Sequence, residues 1–429
     1  MCGIFGYAGF ERDENLLRRM ADTLNHRGPD DEGFLLGNKV GMGMCRLSII
    51  DIEGGHQPLF NNDKTMAIIF NGEIYNYKEL TKILKGKGYQ FSTHSDTETI
   101  LHLYEEFGPH CVNYLQGMFA FAIYDISRRK LFLARDRLGE KPLYYWFENG
   151  RLIFASEIKS ILEHNAVPRE PNLPAIDSYL TFRYSPGPET MFSGIYKFPA
   201  GHWGTWNEGE LTLKKYWSPE VYEGTYKNDK YYHDRFSELF EESIRMRLMS
   251  EAPIGAFLSG GVDSTAIVAT MSKLSEKPVN TFSVGFDWPG DELAAAKEVA
   301  NKLGCDHHEI ICKKEDFGRL PEIIWSLDEP VGDAIVLPLH LLSKLARQHV
   351  KVVLTGDGAD EVLAGYVFHK TLLLAQQYAR WTPNIIKNLV VEKIVQFSPH
   401  WLLNKGFSYP EGLKSRGRLK ILDLLKEVR

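Results

Sequence analysis

Cysteine is scarce in this 429-residue chain: Cys2, Cys45, Cys111, Cys305 and Cys312 are its five, scattered at irregular spacing. That excludes a disulfide framework. No uninterrupted apolar run approaches the ~20 residues that a helix needs to span a bilayer. The amino terminus, MCGIFGYAGF, lacks the charged and long apolar regions of a secretory signal. Positive charge is not in excess either: 50 Lys+Arg stand against 56 Asp+Glu, and the net charge of −6 argues against nucleic acid as a partner. Internal repeats and low-complexity tracts are missing. What is present, 44% hydrophobic and 25% charged residues, is the balance of a globular protein with sizeable cores. The length is roughly three times that of a usual single domain, so two domains are expected, in a cytoplasmic protein without a membrane partner.

The first half reads as antiparallel β-structure with some helix. Residues 117–137 give two β-rich runs separated by a polar turn near Ser127, and KPLYYW and RLIFAS are joined by Glu148-Asn149-Gly150. Asn-Gly between such runs is a strong hairpin signal. Ser185-Pro186-Gly187-Pro188 is rich in turn formers, and from about Asn207 to Asp234 the chain becomes polar and tyrosine-rich. The domain boundary is expected there: 2–206 as one domain, 207–234 as a linker, 235–429 as the second. The second half alternates strands (253–258, 279–286, 307–312, 351–354) with helices (264–274, 291–303, 337–348), one of them ending at Gly304. Such alternation implies a parallel sheet covered by helices on both faces, with ligands bound beyond the carboxyl ends of its strands.

A glycine-rich loop falls at such an end. Ser259-Gly260-Gly261-Val262-Asp263-Ser264 lies between a predicted strand and a predicted helix. Two glycines allow a tight turn with inward N–H groups, Ser259 and Ser264 add hydroxyls, and the helix presents its positive end, a combination suited to phosphate or pyrophosphate. There is no Walker-type lysine, so this is not a kinase or GTPase P-loop. An acid inside an anion loop, Asp263, makes sense where a divalent cation bridges it to the phosphates. A second loop, Thr355-Gly356-Asp357-Gly358-Ala359-Asp360-Glu361, follows another short strand. It could supply a second metal carboxylate and a general acid or base; alone, such Gly/Asp-rich turns are common.

Cys2 follows the initiator Met and is small enough for that Met to be removed. Its α-amino group, with an ordinary pKa near ~8, could then serve as the base for its own thiol. A buried cysteine near the start of a strand is the bland alternative. Downstream, Arg46 offers a fork for a carboxylate; Asn71-Gly72-Glu73 offers an amide, a backbone N–H and a carboxylate; Asp96 and Glu98 offer further acids. Together these could grip an amino acid and stabilise an oxyanion.

MCGIFG, HRGPDDEG (26–33), RLSIID (46–51), FNGEIYN (70–76), SDTE (95–98) and RDRLGEKPLYY (135–145) resemble the glutaminase domain of class II glutamine amidotransferases. FLSGGVDS and LTGDGADE resemble the synthetase domain of glutamine-hydrolysing asparagine synthetases, in order and spacing along nearly the whole chain. The resemblance implies a mixed α/β and α+β architecture. An N-terminal-nucleophile glutaminase domain of layered antiparallel sheets precedes a doubly wound, parallel-sheet ATP-pyrophosphatase domain. It implies that Cys2 attacks the glutamine amide, with Asn71 and the Gly72 N–H as the oxyanion hole. Arg46 and Asp96 hold the α-carboxylate and α-ammonium, while Glu73, Ile49 and Ile50 complete the pocket. In the second domain ATP adenylates a carboxylate, and ammonia displaces AMP. Leu258 and Val284 contact the nucleoside, Thr355 and Gly356 line the ATP site, and Asp263 with Asp360 hold Mg2+.

Two departures accompany the resemblance. Position 357 is Asp where relatives carry a catalytic Glu, one methylene longer. A D-R-x-S-M-type motif and a catalytic lysine, usual later in the family, do not occur before Arg429, and 419–429 reads as an uncapped helix; a truncated chain is expected. Aspartate is the expected acceptor. A sugar uronate or peptide carboxylate is one alternative, and a glutaminase whose second half only senses nucleotide is another. The resemblance leaves a homodimer open. Of the remaining features, Cys305-Asp306-His307-His308-Glu309 with Cys312 matches no zinc spacing and reads as structural. His26 and Arg27 read equally as steering glutamine or stabilising a loop. Asp328-Glu329-Pro330 and Asp333 are candidates for an acceptor site, and the Trp and Tyr residues from Trp203 to Tyr232 read as interdomain packing.

Overall fold

The computed structural model describes residues 1–220, 224–286, 291–366, 369, 372–373, 376–377 and 392–399. The first half contributes twelve strands: β1 (Gly3–Ala8), β2 (Asp31–Leu36), β3 (Val40–Arg46), β4 (Leu59–Phe60), β5 (Met66–Ile74), β6 (Gly117–Asp125), β7 (Lys130–Arg135), β8 (Tyr144–Glu148), β9 (Arg151–Ala155), β10 (Ile195–Lys197), β11 (His202–Asn207) and β12 (Glu210–Lys215). They form two six-stranded sheets, β10-β8-β9-β1-β3-β2 and β12-β11-β7-β6-β5-β4. Every strand pair in them is antiparallel. Successive side chains of a strand point to opposite faces, and here both faces are buried. Ile4 and Ala8 of β1 meet Ala67 and Ile69 of β5 and Leu131 and Leu133 of β7 between the sheets. Phe5 and Tyr7 face outward under the helix Glu14–Asp22, while Ile68, Phe70, Phe119 and Phe121 lie under the helix Asp96–Phe107. A helix–sheet–sheet–helix stack results, which is why its central strands read as unbroken apolar runs.

The predicted hairpin forms as β8 and β9, with Tyr144 opposite Ala155 and positive φ at Asn149 (49°) and Gly150 (76°). The stretch read as a linker, 207–234, is not all linker. β12 extends the second sheet by pairing along β11 from Asn207–Glu210 to His202–Lys215, and a helix begins at Asp229. The aromatic residues Trp203 and Trp206 accordingly belong to this sheet rather than to an interdomain surface: Trp203 packs near Phe132, and Trp206 Nε1 donates to the Gly150 carbonyl at 2.9 Å.

In the second half, β13 (Ile254–Phe257), β14 (Asn280–Gly285), β15 (Asp306–Ile311) and β16 (Val352–Leu354) form a parallel sheet in the order β15-β14-β13-β16. Helices Val262–Leu274 and Leu293–Leu303 cover one face through Val268, Met271, Ala296 and Ala300; Leu342 and Ala346 of Val336–Ala346 cover Phe282 on the other. Gly304 closes its helix in the left-handed conformation, φ 66°. All these elements lie in one compact unit, Met1–Thr355. In the other, Gly356–Arg429, the described elements are the short helices Ala359–Leu363 and Glu392–Phe397; the 419–429 stretch falls outside the described residues. Among the described residues, no helix is long and apolar enough to cross a membrane.

Candidate functional site

Cys2, Arg46, Ile49, Ile50, Asn71, Gly72, Glu73 and Asp96 line one cavity of about 50 Å³, together with Met1, Gln57, Thr97 and Lys141. β1, β3 and β5 deliver them. Cys2 precedes β1, and its Sγ sits 3.4 Å from the Leu47 N–H, just past β3. Its carbonyl accepts from Arg27 Nε at 2.9 Å. β5 carries Asn71-Gly72-Glu73, held in register opposite Ala120, Phe119 and Met118 of β6. Gly72 is required there, because a Cβ would fall 2.1 Å from the Met118 carbonyl oxygen. Asn71 is 1% exposed, and its Nδ2 is a buried donor with no hydrogen-bond partner among the described residues.

The cavity's acids are crowded. Asp96, at the start of its helix, accepts from the Ile74 N–H at 3.0 Å. Burial pushes Asp96 up to about 6 despite that bond. Burial, then the neighbouring Asp96 charge, pushes Glu73 up to about 7, with Lys141 opposing. Lys141 is itself buried, and burial lowers its pKa. The amino group at the chain start is lowered to about 5, first by burial and further by Arg27 and Lys141. A cavity with a thiol, a free amide donor and two buried carboxylates suits a ligand bearing an ammonium group and a carbonyl. Arg46 spends three of its five donors on the carbonyls of Ile50, Asp51 and Ile52, which shapes the loop that walls the cavity. Lys141 and Gln57 went unrecognised in the sequence. Lys141 lies inside the quoted 135–145 motif, but nothing marks it apart from a surface lysine.

Of the second group of predicted residues, Leu258 to Ser264, Val284 and Thr355 lie at or just beyond the carboxyl ends of the parallel strands. Leu258 follows β13 and is buried, its N–H donating to the Phe282 carbonyl at 2.9 Å. Ser259 and Ser264 hydroxyls lie 3.0 Å apart and close the loop on itself. Gly260 takes φ 77°, and a Cβ there would meet Ala295 Cβ at 2.9 Å. Asp263 sits in the first turn of the helix that Gly261 opens, and Val284 lies in β14. Thr355 follows β16, the neighbour of β13. Gly356 and Asp357 lie in the turn after it, Gly358 takes φ 92°, and Asp360 is in the first turn of Ala359–Leu363.

Asp328 and Glu329, the candidates for an acceptor site, have their carboxylates engaged within the fold. They are buried against the first half of the chain. Asp328 accepts from the Ile158 N–H at 2.6 Å and pairs with Lys159 at 2.9 Å; Glu329 accepts from the Met191 N–H at 2.7 Å and pairs with Lys197 at 3.1 Å. Lys159 also pairs with Glu157, which binds Arg27 at 2.8 Å and His26 at 3.0 Å. Burial alone would raise the Glu157 pKa, yet His26, Arg27 and Lys159 bring it down to about 2. Asp328 is raised, burial outweighing its share of Lys159. Removing one member of a buried ionic network strands the others, so Lys159→Met is expected to destabilise the chain by roughly 3 kcal/mol in urea unfolding. A loss within experimental error would mean that Asp328 is held by the Ile158 N–H alone. The histidine-rich strand β15 is structural among the described residues: His307 Nδ1 lies 2.9 Å from Thr281 Oγ1, and His308 stacks on Phe282 and His349.

Residues 1–217 match the glutamine amidotransferase domain family, and residues 235–425 match the asparagine synthase family. Glutamine-hydrolysing asparagine synthetase 1 of Bacillus subtilis is 36% identical over 98% of this chain, which spans 65% of that protein's length. A Methanocaldococcus jannaschii protein, provisionally named a second such synthetase, is 35% identical over 86% of this chain and 76% of its own length. Asparagine synthetase B of Escherichia coli is 35% identical over 86% of this chain and 66% of its own.

Proposed function

Because the chain belongs to the glutamine-hydrolysing asparagine synthetase family, we propose that it releases ammonia from glutamine at Cys2 and uses it to convert an adenylated carboxylate, that of aspartate, into an amide. The observation that carries the first half of this reading is the orphan Asn71 Nδ2 in the same buried cavity as Cys2. Once Met1 is removed, the Cys2 α-amine takes the thiol proton. The thiolate attacks the amide carbon, and Asn71 Nδ2 with the Gly72 N–H stabilises the oxyanion. The amine returns the proton to the leaving ammonia, and water then hydrolyses the thioester to glutamate. Two guanidinium donors of Arg46 remain for the α-carboxylate; Asp96 and Glu73 take the α-ammonium, with Ile49 and Ile50 at the wall.

In the second half, the carboxylate oxygen attacks the α-phosphorus of ATP and pyrophosphate leaves; ammonia then attacks the acyl carbon and AMP leaves. The Ser259, Gly260, Gly261 and Ser264 loop receives pyrophosphate at a helix amino end, Leu258 and Val284 contact the nucleoside, and Thr355 and Gly356 line the site. Asp357 would act as the acid or base. No cluster of three metal-ligating side chains occurs among the described residues. Mg2+ takes one or two carboxylates together with phosphate oxygens, and Asp263 and Asp360 would be those carboxylates. When bound, it would neutralise phosphate charge. Incubating the chain with Mg-ATP, aspartate and ammonium is expected to yield AMP, pyrophosphate and asparagine. Glutamine hydrolysis without AMP from any acceptor would instead support a glutaminase-only protein.

The acids make a pH prediction. Below their folded pKa values of about 6 and 7, Asp96 and Glu73 are protonated and cannot pair with an ammonium group. Glutamine binding should therefore release protons and tighten as pH rises through that window, by at most about tenfold per pH unit for each proton released. Calorimetry in buffers of different ionisation enthalpy counts those protons. An affinity that is flat across the window would remove both acids from the ammonium site.

A further inference from the structure

The cavity wall that contains Leu47, Ile49 and Ile50 is an irregular loop after β3, and its backbone is held from the second half of the chain. Lys351 Nζ lies 2.6 Å from Asp30 Oδ2 and donates to the Ser48 carbonyl at 3.3 Å. The same Asp30 oxygen accepts from the Ser48 N–H at 2.9 Å. Both backbone polar groups of Ser48 thus end in one ion pair whose cation lies 321 residues from its anion. Farther along, the Glu251 N–H donates to the Ile49 carbonyl at 3.3 Å, and Glu251 Oε2 accepts from the Ile52 N–H at 3.4 Å. Burial would raise the Asp30 pKa, yet Lys351 and the Ser48 N–H hold it below the ordinary carboxylate range.

Glu251 and Lys351 both lie near the start of the parallel sheet in the second half. Lys351 donates its own N–H to the Pro253 carbonyl at 3.1 Å, at the amino ends of β13 and β16. The carboxyl ends of those two strands lead into Leu258-Ser259 and Thr355. The loop around the thiol is therefore docked at the amino end of a parallel sheet whose carboxyl end carries the glycine-rich loop.

We propose that Lys351, acting through Asp30 and Ser48, is a positioning residue for the glutamine pocket, so that the second half of the chain completes a site whose chemistry lies entirely in the first. This rests on the glutaminase reading above. Uniform binding lost with the brace raises KM and leaves kcat in place. A half-exposed ion pair is worth up to ~1 kcal/mol, equivalent to about fivefold in an equilibrium constant.

The test pairs glutamine hydrolysis, measured on chains with Cys2 intact, with calorimetric glutamine binding on Cys2→Ala chains. Lys351→Met is expected to raise both KM and Kd about fivefold with kcat little changed. Lys351→Arg should restore the parent values. Asp30→Asn should give the same rise, and adding it to Lys351→Met should cause no further rise. Glutamine bound by Lys351→Met as tightly as by the parent overturns the proposal, as do fully additive effects or a lowered melting temperature without a change in affinity. A chain that binds glutamine without hydrolysing it would overturn the role of Cys2, and the calorimetric comparison would still decide that of Lys351.

Discussion

Cys2→Ala is expected to reduce glutamine hydrolysis to background, a loss on the order of 10⁴-fold or more, with the melting temperature unchanged. The thiol makes only long contacts, 3.4 Å from the Leu47 N–H and 3.6 Å from its carbonyl, so little structure depends on it. The sharper version leaves Cys2 in place and extends the chain ahead of it. A peptide nitrogen cannot accept the thiol proton, and the buried carboxylates of Glu73 and Asp96 are engaged by the α-ammonium of bound glutamine in the reading above. An extended chain should therefore be as inactive toward glutamine as Cys2→Ala. Normal turnover by an extended chain would falsify the assignment of the α-amine as base, and normal turnover by Cys2→Ala that of the nucleophile.

The residues around Cys2 were legible because each sits in a short motif at a strand end or a helix start, and alternating apolar runs identify the strands. Arg46 closes β3, Asn71-Gly72-Glu73 lies in β5, and Asp96 opens a helix that Ser95 caps. The parallel sheet was legible for a related reason. β13 and β14 are covered on both faces and read as apolar runs bounded by glycine and helical periodicity. The misses have a common cause. β12 is an edge strand whose partly buried side chains, Leu211 and Leu213, alternate with exposed Glu210, Thr212 and Lys214, a pattern also compatible with a polar linker. Asp328, Glu329, Lys351 and Lys141 are charged residues whose partners lie far away in sequence, 321 residues in one case. Local pattern assigns such residues to the surface or to a ligand. Only the fold reveals that Asp328 and Glu329 hold the two halves of the chain together.

Replacement of Asn71 separates catalysis from folding. Removing one oxyanion donor typically lowers kcat by about 10² to 10³-fold, and Asn71→Leu should do so for glutamine hydrolysis with KM within a fewfold of the parent. The opposite effect is expected on stability. Among the described residues Asn71 Nδ2 is buried without a partner, and an unsatisfied buried donor costs about 1–3 kcal/mol. A leucine of similar volume removes that penalty while keeping contact with the surrounding core of Ile69, Phe70 and Ala120, all of them buried. Asn71→Leu is therefore expected to melt no lower than the parent, and higher if the leucine packs without strain. An amide kept for packing would produce the reverse pair of results, lower stability with kcat preserved. A donor kept for the transition state leaves the folded chain less stable than it could be, and bound glutamine recovers that loss only as negative charge develops on its amide oxygen.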